Sequence, residues 1–195
     1  LAIQHPEWTF CSYSAACLLG LEVSWRHLNV VHVCSETKPS ARPGARIQRH
    51  RTEPAGAINQ GGISITPPIQ TVTDCLLLTG FADGMPIADS AISKLGLTRE
   101  QLMEAVEKRA GARNGRAVRT ALTTLQYADA RAESGGESVA RAVMIETGFA
   151  PDRLQYELTD PFDSTESMRT DFAWERQARE LTLGELDGFV KYTDQ

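Results

Sequence analysis

Four carboxylates in the last third of the chain, Glu137, Asp171, Glu185 and Asp187, have the types and spacing to hold a divalent cation. Cleavage of a phosphodiester by metal-activated water needs hard oxygen ligands that converge from different elements on one point. Mg2+ is octahedral, keeps several waters and takes only one or two carboxylates. Asp171 lies in an otherwise apolar stretch beside Phe172 and Trp174, where a charge is costly unless it is paired or bound to metal. Glu185 and Asp187 are two apart, so a strand extended through them sets both on one face, with Leu181 and Leu183 as core on that face.

Each residue also has an ordinary reading. Ser134 and Glu137 form a capping-box pattern, and Arg141 lies four residues on for an ion pair. Asp171 has Arg169 and Arg176 as possible ionic partners, and Glu185 with Asp187 also fits a polar strand end entering a turn at Gly188. Lys191 read alone is a surface lysine. The joint occurrence carries the metal reading.

These residues need elements to position them. The segment after Ser134 predicts a helix carrying Glu137, Val139, Ala140, Val143 and Met144 and ending at Gly148. Leu154 to Leu158 reads as a short strand, and Asp160 to Glu166 as a turn. Met168 to Trp174 and Leu181 to Asp187 then form a hairpin across Glu175 to Glu180. Upstream, Ser12 to Leu19 predicts a helix stopped by Gly20, and Leu28 to Cys34, Ala45 to Arg51 and Gly62 to Ile65 predict strands. Thr66 is placed to cap a helix running to Gly80, Thr98 with Gln101 opens another, and Asn114 caps a third. The polar, helix-breaking stretch after Tyr127 marks a boundary, which divides the chain into 1–127 and 128–195.

The net charge of −5 argues against a broad nucleic-acid footprint, but nearly all the excess acid lies after Tyr127. Before it, bases gather at Arg42, Arg46, Arg49 and Arg51, and again at Lys108, Arg109, Arg113, Arg116 and Arg119. Either cluster suits phosphate, and either also suits a solvated basic face. The four cysteines lack a C-x-x-C pair and read as reduced, buried thiols of a cytoplasmic protein. Ser14, Thr73 and Asp74 have no histidine placed as a base, so capping and packing explain them better. No stretch approaches the roughly 20 apolar residues that span a bilayer, so no membrane partner is expected.

Asp171 followed by Glu185-Leu186-Asp187, with Glu137 on a preceding helix, resembles the signature of the PD-(D/E)XK nuclease superfamily. The runs Glu133-Ser134-Gly135-Gly136-Glu137-Ser138, Asp171-Phe172-Ala173-Trp174 and Gly184 to Tyr192 are similar to very-short-patch-repair-like endonuclease domains. Ser14-Ala15-Ala16 before Leu18 to Leu21, and Ile65-Thr66-Pro67 before Thr71 to Asp74, resemble an AbiEi antitoxin-like segment. The resemblance implies an α+β chain: a mixed-sheet restriction-endonuclease-like domain, its end truncated, preceded by a smaller α+β domain. It implies Mg2+ or Mn2+ on Asp171 and Glu185, with Glu137 or Asp187 completing the shell or orienting water and Lys191 balancing charge on phosphate. DNA contact through Arg42, Arg46, Arg49, Arg51, Arg113 and Arg116 is expected. Three departures stand beside it: Asp187 occupies the usual lysine position, no His or Cys follows Tyr127 to bind zinc, and no winged helix leads the chain. The alternatives to a Mg2+-dependent endonuclease are a DNA-binding regulator or antitoxin with an inactive nuclease fold, and a module that binds a toxin partner.

Overall fold

The computed structural model describes residues 3–36, 46–53, 56–110, 115–159, 167–175 and 180–187. The first sheet is mixed, with order β3-β2-β1-β5-β4. It is built from β1 (Thr9–Phe10), β2 (Val31–Ser35), β3 (Ile47–Arg51), β4 (Ile58–Gln60) and β5 (Ile63–Ile65). Central β1 runs antiparallel to β2 and parallel to β5, and passes directly into α1 (Ser12–Leu18). Phe10, Val33, Ile65 and Ala15 form the core of this part. Gly61 and Gly62, both at positive φ, make the two-residue turn that joins β4 to β5, and Asn59 accepts a hydrogen bond from Gly62 N. Strands β1 and β4 were not expected, because two or three residues are too few to show an alternation.

Five helices follow: α2 (Pro68–Leu76), α3 (Phe81–Leu95), α4 (Arg99–Ala110), α5 (Arg116–Tyr127) and α6 (Gly135–Glu146). Val72, Leu76, Ile87, Ala91, Leu102, Val106 and Leu125 of α2 to α5 interlock as the larger core. The α4 capping box forms as the sequence predicts, Thr98 and Gln101 exchanging hydrogen bonds. Helix α2 starts one residue later than expected, with Pro67 as cap, because the Thr66 hydroxyl bonds Thr71 instead. Gly115 caps α5, and Asn114 lies outside the described residues. All four cysteines are free, but only Cys11 and Cys75 are buried; Cys34 is half-buried and Cys17 exposed.

The second sheet is antiparallel, order β6-β7-β8, from β6 (Arg153–Thr159), β7 (Ser167–Glu175) and β8 (Leu181–Gly184). Ala140 and Met144 of α6 pack on its Leu154, Phe172 and Trp174. The hairpin partners are those expected, but β8 ends at Gly184 instead of reaching Asp187. Two contacts end it. Thr170 Oγ1 donates to the Gly184 carbonyl, and Leu186 N donates to the Asp171 carboxylate rather than to a ladder carbonyl. Gly184 also lies against Trp174, where an added Cβ would sit 3.0 Å from the ring. Leu181 and Leu183, expected as core, are 38% and 44% exposed.

A buried ion pair joins the helices to this sheet. Asp89 of α3 and Arg141 of α6 are 1% and 5% exposed and meet at 2.6 Å. Arg141 also donates to the Tyr127 carbonyl, and Asp89 accepts from Asp129 N at 2.7 Å. The start of the stretch read as a boundary is therefore held by this ionic cluster. Arg141 is spent here and does not pair with Glu137. Burial pushes the Asp89 carboxyl above its ordinary range, with the Arg141 charge pulling it down. Desolvation outweighing attraction means the pair is costly to break rather than strongly stabilising.

A second polar contact lies between β2 and β3. His32 Nδ1 and His50 Nε2 are 2.7 Å apart, a spacing that requires one nitrogen to donate and the other to accept. Burial lowers His32 to about 4, with the charges of His50 and His27 adding, and burial lowers His50.

Two outcomes follow from these contacts. Arg141→Met leaves the Asp89 charge buried alone, so urea unfolding should show a loss of about 3–5 kcal/mol. Adding Asp89→Leu should recover most of it, and a double variant as weak as the single would show that packing, not charge, holds α6. The second outcome concerns pH. His32 has a folded pKa below its ordinary 6.5, so the unfolded chain takes up the proton first. The stability that neutral His32 carries is fully present above pH 6.5 and is lost as pH falls toward about 4, by up to about 3 kcal/mol. His32→Leu should flatten most of that slope in a series of urea midpoints, and an unchanged slope would assign it to other groups.

Candidate functional site

Glu137 sits in the first turn of α6, where its N–H bonds the Ser134 hydroxyl that caps the helix. Its carboxylate turns back: Oε1 accepts from Ser134 Oγ at 2.8 Å and Oε2 from Glu133 N at 2.9 Å. The cap therefore forms, with Glu133 N in place of Ser134 N as the backbone donor to the acid, and it fixes the carboxylate in space. Oε2 accepts a further hydrogen bond from Gln155 Nε2 of β6 at 3.0 Å. The same nitrogen lies 3.4 Å from Asp171 Oδ1 on β7. Asp171 Oδ2 is held from the other side by Leu186 N at 2.8 Å. Carboxylates only accept, so the amide nitrogen of Gln155 is the atom that faces them.

Gln155 reaches this position through an unusual backbone. Its φ is +51°, a left-handed conformation uncommon for a residue with a Cβ. The β6 to β7 register passes from Leu154 opposite Phe172 to Tyr156 opposite Thr170, with no ladder pair between. Such a residue persists only where its surroundings over-determine it, at a cost of about 1–3 kcal/mol. Here the surroundings are two carboxylates that share its amide.

Of the sequence-predicted site residues, the structure brings together Glu137 and Asp171. Glu185 and Asp187 follow β8 rather than lie within it, so strand alternation does not set their direction, and both are exposed. Leu186 between them approaches the α6 first turn, 3.1 Å from where a Cβ on Gly136 would stand. Asp171 does not pair with Arg169, which instead forms an ion pair with Glu133 at 2.7 Å; the other expected arginine, Arg176, and Lys191 lie outside the described residues. Among the described residues, no three His, Cys, Asp or Glu side chains group as metal ligands. Gln155 was missed because nothing in its neighbours signals positive φ.

The basic residues separate. Arg46, Arg49 and Arg51 are exposed on or beside β3, an edge strand, with Arg49 over the Trp8 ring at 5.0 Å. Arg109 is committed to Asp74 at 3.1 Å, whereas Arg116 and Arg119 line a cleft with Tyr127. Arg42 and Arg113 lie outside the described residues.

Removal of the shared amide tests the cluster. Gln155→Leu leaves two neighbouring carboxylates without their common donor, and charged hydrogen bonds of this kind contribute about 1.5–3 kcal/mol. Urea unfolding at pH 7 should show a loss of that size, and the loss should shrink when Asp171→Asn is already in place. An equal loss in both backgrounds would make Gln155 a packing residue only.

Comparison with known proteins adds no activity to this geometry. No family model matches the chain, and no solved structure matches it. Over 164 residues, 84% of its length, the chain is 29% identical to uncharacterised proteins from two strains of Mycobacterium tuberculosis. It spans 58% of the length of those relatives, so it is similar to a part of a longer protein whose role is itself unassigned.

Proposed function

We propose that the chain is a Mg2+- or Mn2+-dependent endonuclease-like protein that hydrolyses DNA phosphodiester bonds, with its cation held at Asp171. The observation that carries this reading is the single amide nitrogen shared by Glu137 and Asp171. A donor within hydrogen-bond reach of both carboxylates stands where a hard cation would satisfy both, and two carboxylates with waters are a suitable set for Mg2+. The residues present fit the ion. They also agree with the PD-(D/E)XK resemblance, whose helix acid and strand acid correspond to Glu137 and Asp171.

In this mechanism Asp171 would be the principal ligand, and Glu185 would join it from the segment that Leu186 N ties to Asp171. Glu137, held by Ser134 and Glu133 N, would complete the shell or orient the attacking water. With Asp187 in the usual lysine position, Lys191 would be the cation that balances charge on phosphate. A bound divalent ion supplies a water that is more acidic than bulk water and a Lewis acid toward the phosphoryl oxygen. Gln155 bridges the two carboxylates through its amide nitrogen.

The substitution of Asp187 for lysine and the lack of a three-carboxylate group among the described residues favour a second reading, a DNA-binding regulator or antitoxin without chemistry. A melting series separates the two. Because the ion binds the folded state alone, millimolar Mn2+ should raise the melting temperature by roughly 5 °C. Asp171→Asn should abolish the shift and Glu185→Gln reduce it. Plasmid nicking that needs Mn2+ and is lost in Asp171→Asn completes the case. A melting curve unmoved by Mn2+, with DNA bound equally in EDTA, would hand the function to the regulator.

A further inference from the structure

The cleft at the far end of α6 from Glu137 combines three features that no part of the carboxylate cluster uses. Helix α5 buries Val118, Ala121 and Leu125, and turns Arg116, Arg119, Thr120, Thr123 and Tyr127 the other way. These five fall at i, i+3, i+4, i+7 and i+11, one continuous helical face. They line a cavity of about 410 Å3, closed by Phe81 of α3 and by Ile145 and Glu146 of α6.

The cavity is electrostatically prepared for an anion. Arg116 and Arg119 lie in the first turn of α5, where a cation opposes the helix dipole. That turn holds no acidic residue, and the Gly115 cap offers no side-chain acceptor for its N–H groups. A phosphate at that turn accepts from guanidinium donors and from the backbone N–H groups that open the helix. Glu146 on the opposite wall confines the anion to the α5 side. The cavity is also prepared for a planar group. Tyr127 is 44% exposed, and it meets Phe81 edge to face, with centroids 5.8 Å apart and planes at 88°. The Phe81 contact holds the phenol ring in place without a parallel stack of the two rings, which suits it as a platform for a base.

We propose that this cleft binds a short stretch of single-stranded nucleic acid, one phosphate on Arg116 and Arg119 and a base one or two nucleotides along against Tyr127, since the two ends of α5 lie about 12 Å or more apart. A base in a duplex is stacked on both faces and cannot use the platform. Nine residues of α6 separate Glu146 from Glu137, about 14 Å at 1.5 Å per residue, so a strand anchored here reaches the carboxylates within a few nucleotides. The inference extends the proposed nucleic-acid function and assigns it a strandedness.

The test is fluorescence anisotropy with a fluorescein-labelled oligothymidylate of roughly twelve nucleotides, titrated with the full chain in EDTA at several salt concentrations. Without metal, failure here leaves the Mn2+ melting test independent. Arg116→Ala with Arg119→Ala should weaken binding at least tenfold and lower the salt slope by about 1.4. Tyr127→Ala should weaken it about tenfold with the slope unchanged, and Tyr127→Phe should restore it, which also controls for folding. Arg46→Ala with Arg49→Ala should change little. The proposal is overturned if the wild type does not bind, if duplex of equal length binds as well, or if the Arg46 and Arg49 variant is the one that loses affinity.

Discussion

Everything the carboxylate cluster does depends on where α6 is held, and the one buried ion pair fixes α6 against α3 while Ala140 and Met144 pack it on the second sheet. Arg141 reaches Asp89 across the helix interface and at the same time takes the Tyr127 carbonyl, while Asp89 takes Asp129 N. Neither charge survives burial alone, so α3, α6 and the chain between α5 and α6 must arrive together or not at all. An apolar pair would bind the same surfaces without fixing rotation or register about the helix axis. The ionic pair fixes both, and with them the direction in which the first turn of α6 presents Glu137.

That first turn is itself shaped by absence of side chains. A Cβ on Gly135 would stand 3.2 Å from Glu22 Oε2, and one on Gly136 would stand 3.1 Å from Leu186. Two glycines at the start of a helix cost about 1 kcal/mol each against alanine, and the Ser134 and Glu137 cap offsets part of that loss. Close approach on one side brings α6 against Glu22 beside α3. On the other side it brings the chain after β8 against α6, which is how Leu186 N comes to bond Asp171.

The sequence displayed what is local and periodic. The helix caps at Thr98 and Ser134, the apolar face of α6 and the hairpin of β7 with β8 are each written in residues within a turn or a strand of one another. Asp89 and Arg141 were not legible as partners, because 52 residues separate them and each alone reads as an exposed charge. Nor was the end of β8: Gly184 to Asp187 continues an alternating pattern, and only the competition of Thr170 and Asp171 for its backbone groups stops the ladder. Glu137 and Asp171 were legible as acids that converge from a helix and a strand, but the atom that joins them was not. His32 and His50, 18 residues apart, become a contact only through the parallel pairing of β2 and β3.

Gln155 shows why such a residue stays hidden and why it is informative. If the fold alone required positive φ at that point of β6, glycine would meet the requirement without strain. A glutamine there adds backbone cost, and the gain that offsets it must come from its side chain. Its amide meets two carboxylates, each already fixed from the opposite side, Glu137 by the α6 cap and Asp171 by Leu186 N. Neither acid can turn away to relieve the other, so repulsion between them is built into the frame and the bridging donor answers it. A fold indifferent to those charges would have neutralised one of them at less cost. The strain at Gln155 is thus a measure of how firmly the frame keeps two carboxylates together, and keeping them together is what a cation site requires.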